Sequence, residues 1–320
     1  MKNKLSVLVL ILIIALCMQA CAGDNNENEG SGDDTEVVLE IGGHDVCMDE
    51  IRYYAYTKQA SYEAYYIAYD KEIDWQDSAD DEQTLEEAVK ESLLNEICKR
   101  SVINNHADEY EVELDSSDRA EAESMVDEYF ENSSEALKTK INITEERLEE
   151  VFEYKILYEK MCTEYMEQNE MSVSEEDCIQ AEVSVVTIED TEDGERIAEK
   201  IAKAVKSGED IEAAAEEYGY SSVTGNIAAG SRNGDEIEEM CLSLATGDTD
   251  WLCVDDTYYV IYCVTENDEE ATETVYEETL DEAMDEAAEE MYRLWAEDEE
   301  IKIDEEKWEE ITFDESIFTY

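Results

Sequence analysis

The chain has no proline in 320 residues, and only 22 lysines and arginines against 90 aspartates and glutamates. Proline ordinarily makes up about 5% of a protein, so this chain folds without any slow X-Pro isomerisation of its own. The formal net charge of -68 excludes nucleic acid as a partner, because phosphate contacts need clustered lysine and arginine and no basic patch is visible. Direct adsorption to anionic lipid is excluded on the same ground. Histidine is nearly absent too. With only His44 and His106, neither near a pair of cysteines, no zinc site can be read. No D-x-D-x-D-G loop of the calcium-binding kind occurs, and acidic residues spread along helices make a solvated face. The sequence therefore points to no metal and no cofactor.

Long apolar runs are confined to the N-terminus. Residues 1–20 begin with Lys2 and Lys4 and continue through LSVLVLILIIALC, which is too short to span a bilayer comfortably and reads as a secretory signal. Ala20 and Cys21 look like a bacterial lipobox, in which the signal is cut before Cys21 and that cysteine is lipidated, fixing the protein to the extracytoplasmic face of the cell membrane. Residues 21–36 are polar and acidic with no apolar face to bury, a flexible tether. Self-repulsion at this charge strains a compact state, and divalent cations at a cell envelope would relieve it. Of nine cysteines, Cys17 leaves with the signal and Cys21 takes the lipid. The odd seven that remain have no CxxC and read as small buried hydrophobes. Cys253 and Cys263 flank one hairpin, which leaves a single disulfide open.

The first folded stretch starts at VVLEIGGHDVC, two short strands around Gly42 and Gly43. A helix over about 49–69 is crowded with Tyr53, Tyr54, Tyr56, Tyr62, Tyr65, Tyr66 and Tyr69. These cannot all face one core; those left outside offer broad contact area with a polar tip, a surface suited to unfolded chains. Thr84 and Glu87 form a capping box ahead of a helix with Leu85, Val89, Leu93 and Ile97 four apart, and His106 caps its end. A helix to about Phe130, a loop and a long helix over 145–168 follow.

The middle of the chain changes character. AEVSVVTI alternates with period two, as a strand does. Two helices, carrying Ile197, Ile201 and Val205, then Ile211, Ala214, Ala215 and Tyr218, end at Gly208 and Gly219, each suited to a left-handed C-cap. GNIAAG reads as a short strand. Asp235 N-caps a short helix with Glu238 as its capping-box partner and Ile237, Met240, Cys241 and Leu244 inward. WLCV and YYVIYCVT close the unit through a turn at Asp255, Asp256 and Thr257.

That order of elements resembles the parvulin-type peptidyl-prolyl isomerase domain, and AAAEEYGYSSVTGNIAAG, IEEMCLSLATGD and TYYVIYCV match its phrases. The leader, the VVLEIGGHDVCMDEIRYYAY start and the helices after it resemble the N-terminal region of the PrsA and SurA foldases, with Met48 where that family has a Ser or Thr cap. The resemblance implies an α+β fold. A discontinuous helical chaperone module over 37–176 would resume in 269–320, through a returning helix at 273–297 with Leu280, Met284, Ala287, Met291 and Leu294 inward and a strand IKI beside VVLEI. A parvulin-like domain, a small antiparallel sheet surrounded by short helices, would fill 177–268. The implied partners are unfolded or newly exported polypeptides.

In that family the isomerase carries two histidines, and the matching positions here are Val183 and Tyr259. The family's Cys or Asp falls at Ser221 or its neighbour Ser222, and the aromatic of the proline pocket at Ile237. Isomerisation needs neither nucleophile nor metal. Its barrier of roughly 18 to 20 kcal/mol falls when an apolar pocket grips the proline ring and polar groups favour the twisted amide. By the resemblance Ser221 and Tyr259 are the catalytic candidates, and Val183, Ile237, Met240 and Leu244 the substrate-binding ones. Three readings stay open: a working isomerase foldase, a non-catalytic chaperone, and an acidic surface lipoprotein that gathers cations.

Overall fold

The computed structural model describes residues 36–79, 83–189, 193–232, 234–313 and 315–318; the leader, Cys21 and the tether up to residue 35 lie outside them. The fold is α+β. Contacts divide it into two compact units: one takes the described residues up to Met171 and again from Met284, the other is Ser172–Ala283. Among the described residues no helix is long and apolar enough to cross a membrane.

The first unit opens with β1 (Val37–Ile41) and β2 (His44–Cys47), antiparallel across Gly42 and Gly43. Both glycines have positive φ, 58° and 91°, the region glycine adopts without a Cβ penalty. α1 (Met48–Ala68) follows directly, and its N-cap, Cys47, makes no side-chain bond. Met48 is thus not a cap but the first helical residue, 4% exposed and packed in the core. The helix start is met instead by Asp49 in its first turn, whose charge complements the positive end of the helix dipole, and Arg147 Nε donates to Asp49 at 3.0 Å.

α2 (Leu85–Asn105) begins with the expected capping box: Glu87 N donates to Thr84 Oγ1 at 3.3 Å and Thr84 N to Glu87 Oε2 at 2.8 Å. It ends at His106, whose ring stacks on Trp295 at 4.2 Å. α3 (Ser116–Asn132) is followed not by a plain loop but by α4 (Glu135–Ile141), started by Ser134 accepting from Leu137 N at 3.2 Å. α5 (Glu145–Gln168) then runs where its periodicity predicts. Of the α1 tyrosines, Tyr53, Tyr54, Tyr56 and Tyr62 lie in or against the core, while Tyr65, Tyr66 and Tyr69 form an outer group in which Tyr65 and Tyr69 sit 4.9 Å apart.

The returning helix is α9 (Glu269–Trp295). Ala287, Ala288 and Met291 are fully buried, but Leu294 is 59% exposed, and Tyr292 and Trp295 pack inward in its place. The stripe Met284, Ala287, Met291, Trp295 keeps helical spacing and Leu294 falls off it. β7 (Ile301–Ile303) pairs antiparallel with β1, Leu39 opposite Ile303, giving the sheet order β2-β1-β7. No element is expected beyond 303, yet α10 (Glu305–Trp308) is followed by Ile311, Phe313 and Ile317, all buried in the same core. Glu63, itself buried, holds this tail by accepting from Ser316 Oγ at 2.7 Å and Ile317 N at 2.8 Å.

The second unit is an antiparallel sheet of order β4-β3-β6-β5, made of β3 (Ala181–Ile188), β4 (Ser222–Ile227), β5 (Thr249–Val254) and β6 (Thr257–Thr265). β4 begins at Ser222 rather than at Gly225, because Val223 and Thr224 continue the ladder opposite Val185 and Ser184. On one face Val186, Ile188 and Val260 pack under α6 (Gly194–Lys206) and α7 (Ile211–Glu216). Both helices are followed by the expected left-handed glycines, Gly208 at φ 97° and Gly219 at φ 81°. The other face lies under α8 (Glu236–Ser243).

The seven described cysteines are free. Cys253 pairs with Tyr258, whereas Cys263 lies far along β6 opposite Val183, so the hairpin brings them nowhere near each other. Burial pushes Cys98 and Cys241 up to about 11, where little thiolate exists at neutral pH.

The β5–β6 turn has Asp255 at φ 49° and Asp256 at φ 61°, the two left-handed residues of a type I′ turn, where glycine is preferred. Asp256→Gly relieves that strain and one of two adjacent like charges, and we expect about 1 kcal/mol of added stability, read as a higher urea midpoint. Burial pushes the Glu50 carboxyl up to about 7, against the pull of Arg147 and Arg100. A carboxyl whose folded pKa is raised contributes stability below its unfolded pKa and loses it as pH rises through the folded one. Glu50→Gln should therefore gain on the wild type between about pH 5 and pH 8, by on the order of 2 kcal/mol; parallel Tm curves across that range would contradict the assignment.

Candidate functional site

The face of the second sheet beneath α8 is where the site residues meet. Register fixes its rows: Val185 lies between Val223 and Ile261, Val183 between Gly225 and Cys263, and Tyr259 between Thr187 and Leu252. Side chains two apart on a strand share a face, so Val183, Val185, Tyr259 and Ile261 all look toward α8. That helix lays Ile237, Met240 and Cys241 against them, and Leu244 follows just past its end. Five of the six expected site residues are thereby brought together: Val183, Ile237, Met240, Leu244 and Tyr259 share one apolar cluster with Ile261 and Cys241. Val183 and Ile237 are 5% and 6% exposed, buried among these neighbours.

Ser221 is not part of the cluster; it is exposed and sits one residue before β4. Ser222 is committed elsewhere. Its N–H and Oγ both donate to Glu212 Oε2 at 2.5 Å, and those two bonds hold the Glu212 carboxyl below its usual range.

The rim of the face is built by α8's own start. Asp235 caps it as expected, accepting from Ile237 N at 3.1 Å and Glu238 N at 2.8 Å. Glu238, however, reaches back into the preceding loop rather than closing a capping box. It accepts from Gly230 N and Arg232 N, both at 2.7 Å, and Gly234 N at 3.1 Å. Three backbone donors converge on one carboxylate because Gly230 and Gly234 turn at φ 80° and 69°, and they hold that carboxyl below its ordinary range. Arg232 is clasped by Asp235, with Nη2 to Oδ2 at 2.8 Å. The hydrogen-bonded Asp235 carboxylate holds the guanidinium's pKa above its ordinary value, so it stays charged.

The face thus offers a phenol from Tyr259 and a guanidinium from Arg232 over an apolar floor. It has no imidazole, since His44 and His106 both belong to the other unit. Arg232 and the looping role of Glu238 are the residues that sequence reasoning missed. The available signal was the RNGD stretch, which holds the sole arginine between Arg196 and Arg293 three residues ahead of a helix cap. Among the described residues no group of three or more His, Cys, Asp or Glu side chains is placed to hold a metal ion.

No family model and no curated protein matches the chain. Solved structures do. PrsA from Bacillus subtilis is 17% identical, covering 81% of this chain and 93% of its own at a TM-score of 0.26. A peptidylprolyl isomerase (PrsA) from Bacillus cereus is 16% identical over 86% and 96% at 0.31, and the foldase protein PrsA from Lactococcus lactis 14% identical over 85% and 96% at 0.28. The chain resembles PrsA foldases. The likeness is long in coverage and low in identity, and the reading of the site rests on the residues already described.

Because Glu238 suspends the Gly230–Gly234 loop, Glu238→Ala should speed amide exchange at Gly230, Arg232 and Gly234 by about tenfold while leaving Val183 and Ile261 protected. The carboxyl's lowered pKa means the loop's hold is present above the ordinary carboxylate range and lost as pH falls through the lowered value. Exchange measured at pH 7 and again near pH 3 should show the wild type approaching the variant at acid.

Proposed function

We propose that this chain is an extracytoplasmic foldase that shelters unfolded, newly exported polypeptides, and that its parvulin-like unit binds chains without isomerising X-Pro bonds at a useful rate. The observation that carries the second half is the closure of Val183 and Ile237 into one buried cluster with Ile261 and Cys241. Isomerisation needs a vacant apolar pocket for the ring and polar groups aimed at the twisting amide. Here the pocket positions are occupied by aliphatic side chains, and the remaining polar candidates, Tyr259 and the exposed Ser221, stand at the margin. Arg232 and Tyr259 suit hydrogen bonding to a peptide carbonyl on the rim, which favours holding an extended segment over twisting it. Attachment through a lipid on Cys21, with residues 22–36 as spacer, accords with the charge: a protein at -68 gains nothing from an anionic bilayer and needs an acyl chain to stay there. Divalent cations at the acidic surface belong to this reading only as screening counter-ions.

Two assays on the same preparation test it. We expect stoichiometric suppression of aggregation of a reduced, unfolded protein, together with an X-Pro tetrapeptide isomerising at its uncatalysed rate. Faster isomerisation that Tyr259→Phe abolishes would restore the enzyme reading, and aggregation proceeding unhindered would remove the foldase one.

A further inference from the structure

The second sheet ends on one side in β4, and that edge is built unlike the other three sheet edges. β2, β7 and β5 carry Asp45, Lys302 and Asp250, charges of the kind with which edge strands discourage pairing with other chains. β4 carries none. It lies within residues 218–231, which hold no Asp, Glu, Lys or Arg, the longest such run beyond residue 24 of a chain at -68. Val223 is 72% exposed, more than any other large hydrophobic side chain among the described residues.

The ladder fixes which backbone groups this edge turns outward. Cys263 N donates to Asp248 O at 2.9 Å, away from β3, so on β6 it is Val260 and Tyr262 that bond to β3, through Val186 and Ser184. Val183 and Val185 therefore turn to β4 and meet Gly225 and Val223. The main-chain N–H and C=O groups of Ser222, Thr224 and Asn226 point the other way. Glu212 takes the Ser222 N–H. Those of Thr224 and Asn226 have no partner among the described residues, and both residues are exposed. Gly225 leaves open space where a Cβ would stand, so a strand laid beside β4 meets a row of donors and acceptors with room for its side chains.

Charge decides among the occupants. The tether of residues 21–36 is acidic. A second copy paired antiparallel about Thr224 would bring its Asp268, bonded to Asn226, toward the Glu212 that holds Ser222, like charge against like. Neither penalty falls on an uncharged or basic segment.

We propose that β4 binds an extended, non-acidic segment of an unfolded polypeptide by strand addition, through the main-chain groups of Thr224 and Asn226 and with an apolar side chain against Val223. This names how the second unit takes a client and so rests on the foldase reading above. The full-length protein is titrated with the hexapeptide Lys-Val-Thr-Val-Thr-Lys, and with the same peptide N-methylated throughout, while amide exchange is read at single residues. The first should slow exchange at Thr224 and Asn226 by about tenfold; the second, which keeps the side chains but has no amide donors, should not. Val223→Lys, which gives this edge a charge like those on the other three, should weaken the peptide by about tenfold through loss of the apolar contact. Thr224→Pro, which removes an outward N–H and no ladder bond, should weaken it by about the same factor. If the protein suppresses aggregation of an unfolded client while Thr224 and Asn226 exchange at their unliganded rates, the edge is not the site and the foldase reading survives. Protection of the two amides without peptide, rising with protein concentration, would make the occupant a second copy and overturn the proposal. If neither aggregation nor exchange responds, both readings fall.

Discussion

The pairing of β1 with β7 is the constraint on which the first unit depends. Glu40 and Lys302, joined across this ladder at 2.8 Å, lie 262 residues apart in sequence. Without β7, β1 and β2 would be an isolated hairpin, which is marginal in water. The tail then deepens the closure: Asp304 N donates to Val38 O at 2.9 Å, Lys307 Nζ to Val37 O at 3.0 Å, and Phe313 and Ile317 enter the core against Gln59 and Glu63. Closing so long a loop costs little more than closing a shorter one, since loop entropy grows only with the logarithm of length. It does fix an order of events. The second unit is continuous in sequence, Ser172–Ala283, whereas the first must wait for residues 301–317 to complete its sheet and core.

Scarce cations are spent where they hold main chain. Lys90 donates to Ile311 O at 2.7 Å, Lys140 to Glu315 O at 2.7 Å and Lys307 to Val37 O, so three lysines from separate elements pin the tail and the first strand. Exposed ion pairs contribute little, and a chain with 90 carboxylates and 22 bases could not neutralise itself with them in any case. The acids find their structural use at helix starts, as Asp115, Asp210, Asp235 and Asp304 each cap one. With proline absent, these caps and the left-handed glycines after α6 and α7 supply the punctuation that proline otherwise shares.

Much of this was legible because it is local. The capping box at Thr84, the glycine stops at 208 and 219, the Asp255–Asp256 turn and the period of AEVSVVTI each follow from residues within one turn or one strand. The β1–β7 pairing was legible through family resemblance alone, since nothing in IKI names its partner. What stayed hidden depends on tertiary neighbours. Seven residues, EALKTKI, are too few for a periodic signal, so α4 passed for loop. Glu238 fits a capping box by spacing and was drawn off by three converging backbone donors. Phe313 and Ile317 stand in a short acidic tail that shows no pattern until Glu63 receives it. At the site, chain order brought five residues to one face but could not show how deeply each is buried there, because that depends on how α8 packs on the sheet.

The charge of the chain bears on how its exposed aromatic surface is made. In a chain at -68, exposed contact area is supplied at least cost by uncharged groups, since further carboxylates would add to the self-repulsion of the folded state. The outer tyrosines of α1, Tyr65, Tyr66 and Tyr69, are of this kind, because a phenol keeps an apolar ring wettable at an exposure that phenylalanine would make aggregation-prone. In the second sheet Val183 and Tyr259, opposite Cys263 and Leu252 in the ladder, put aliphatic and phenolic packing on the face beneath α8.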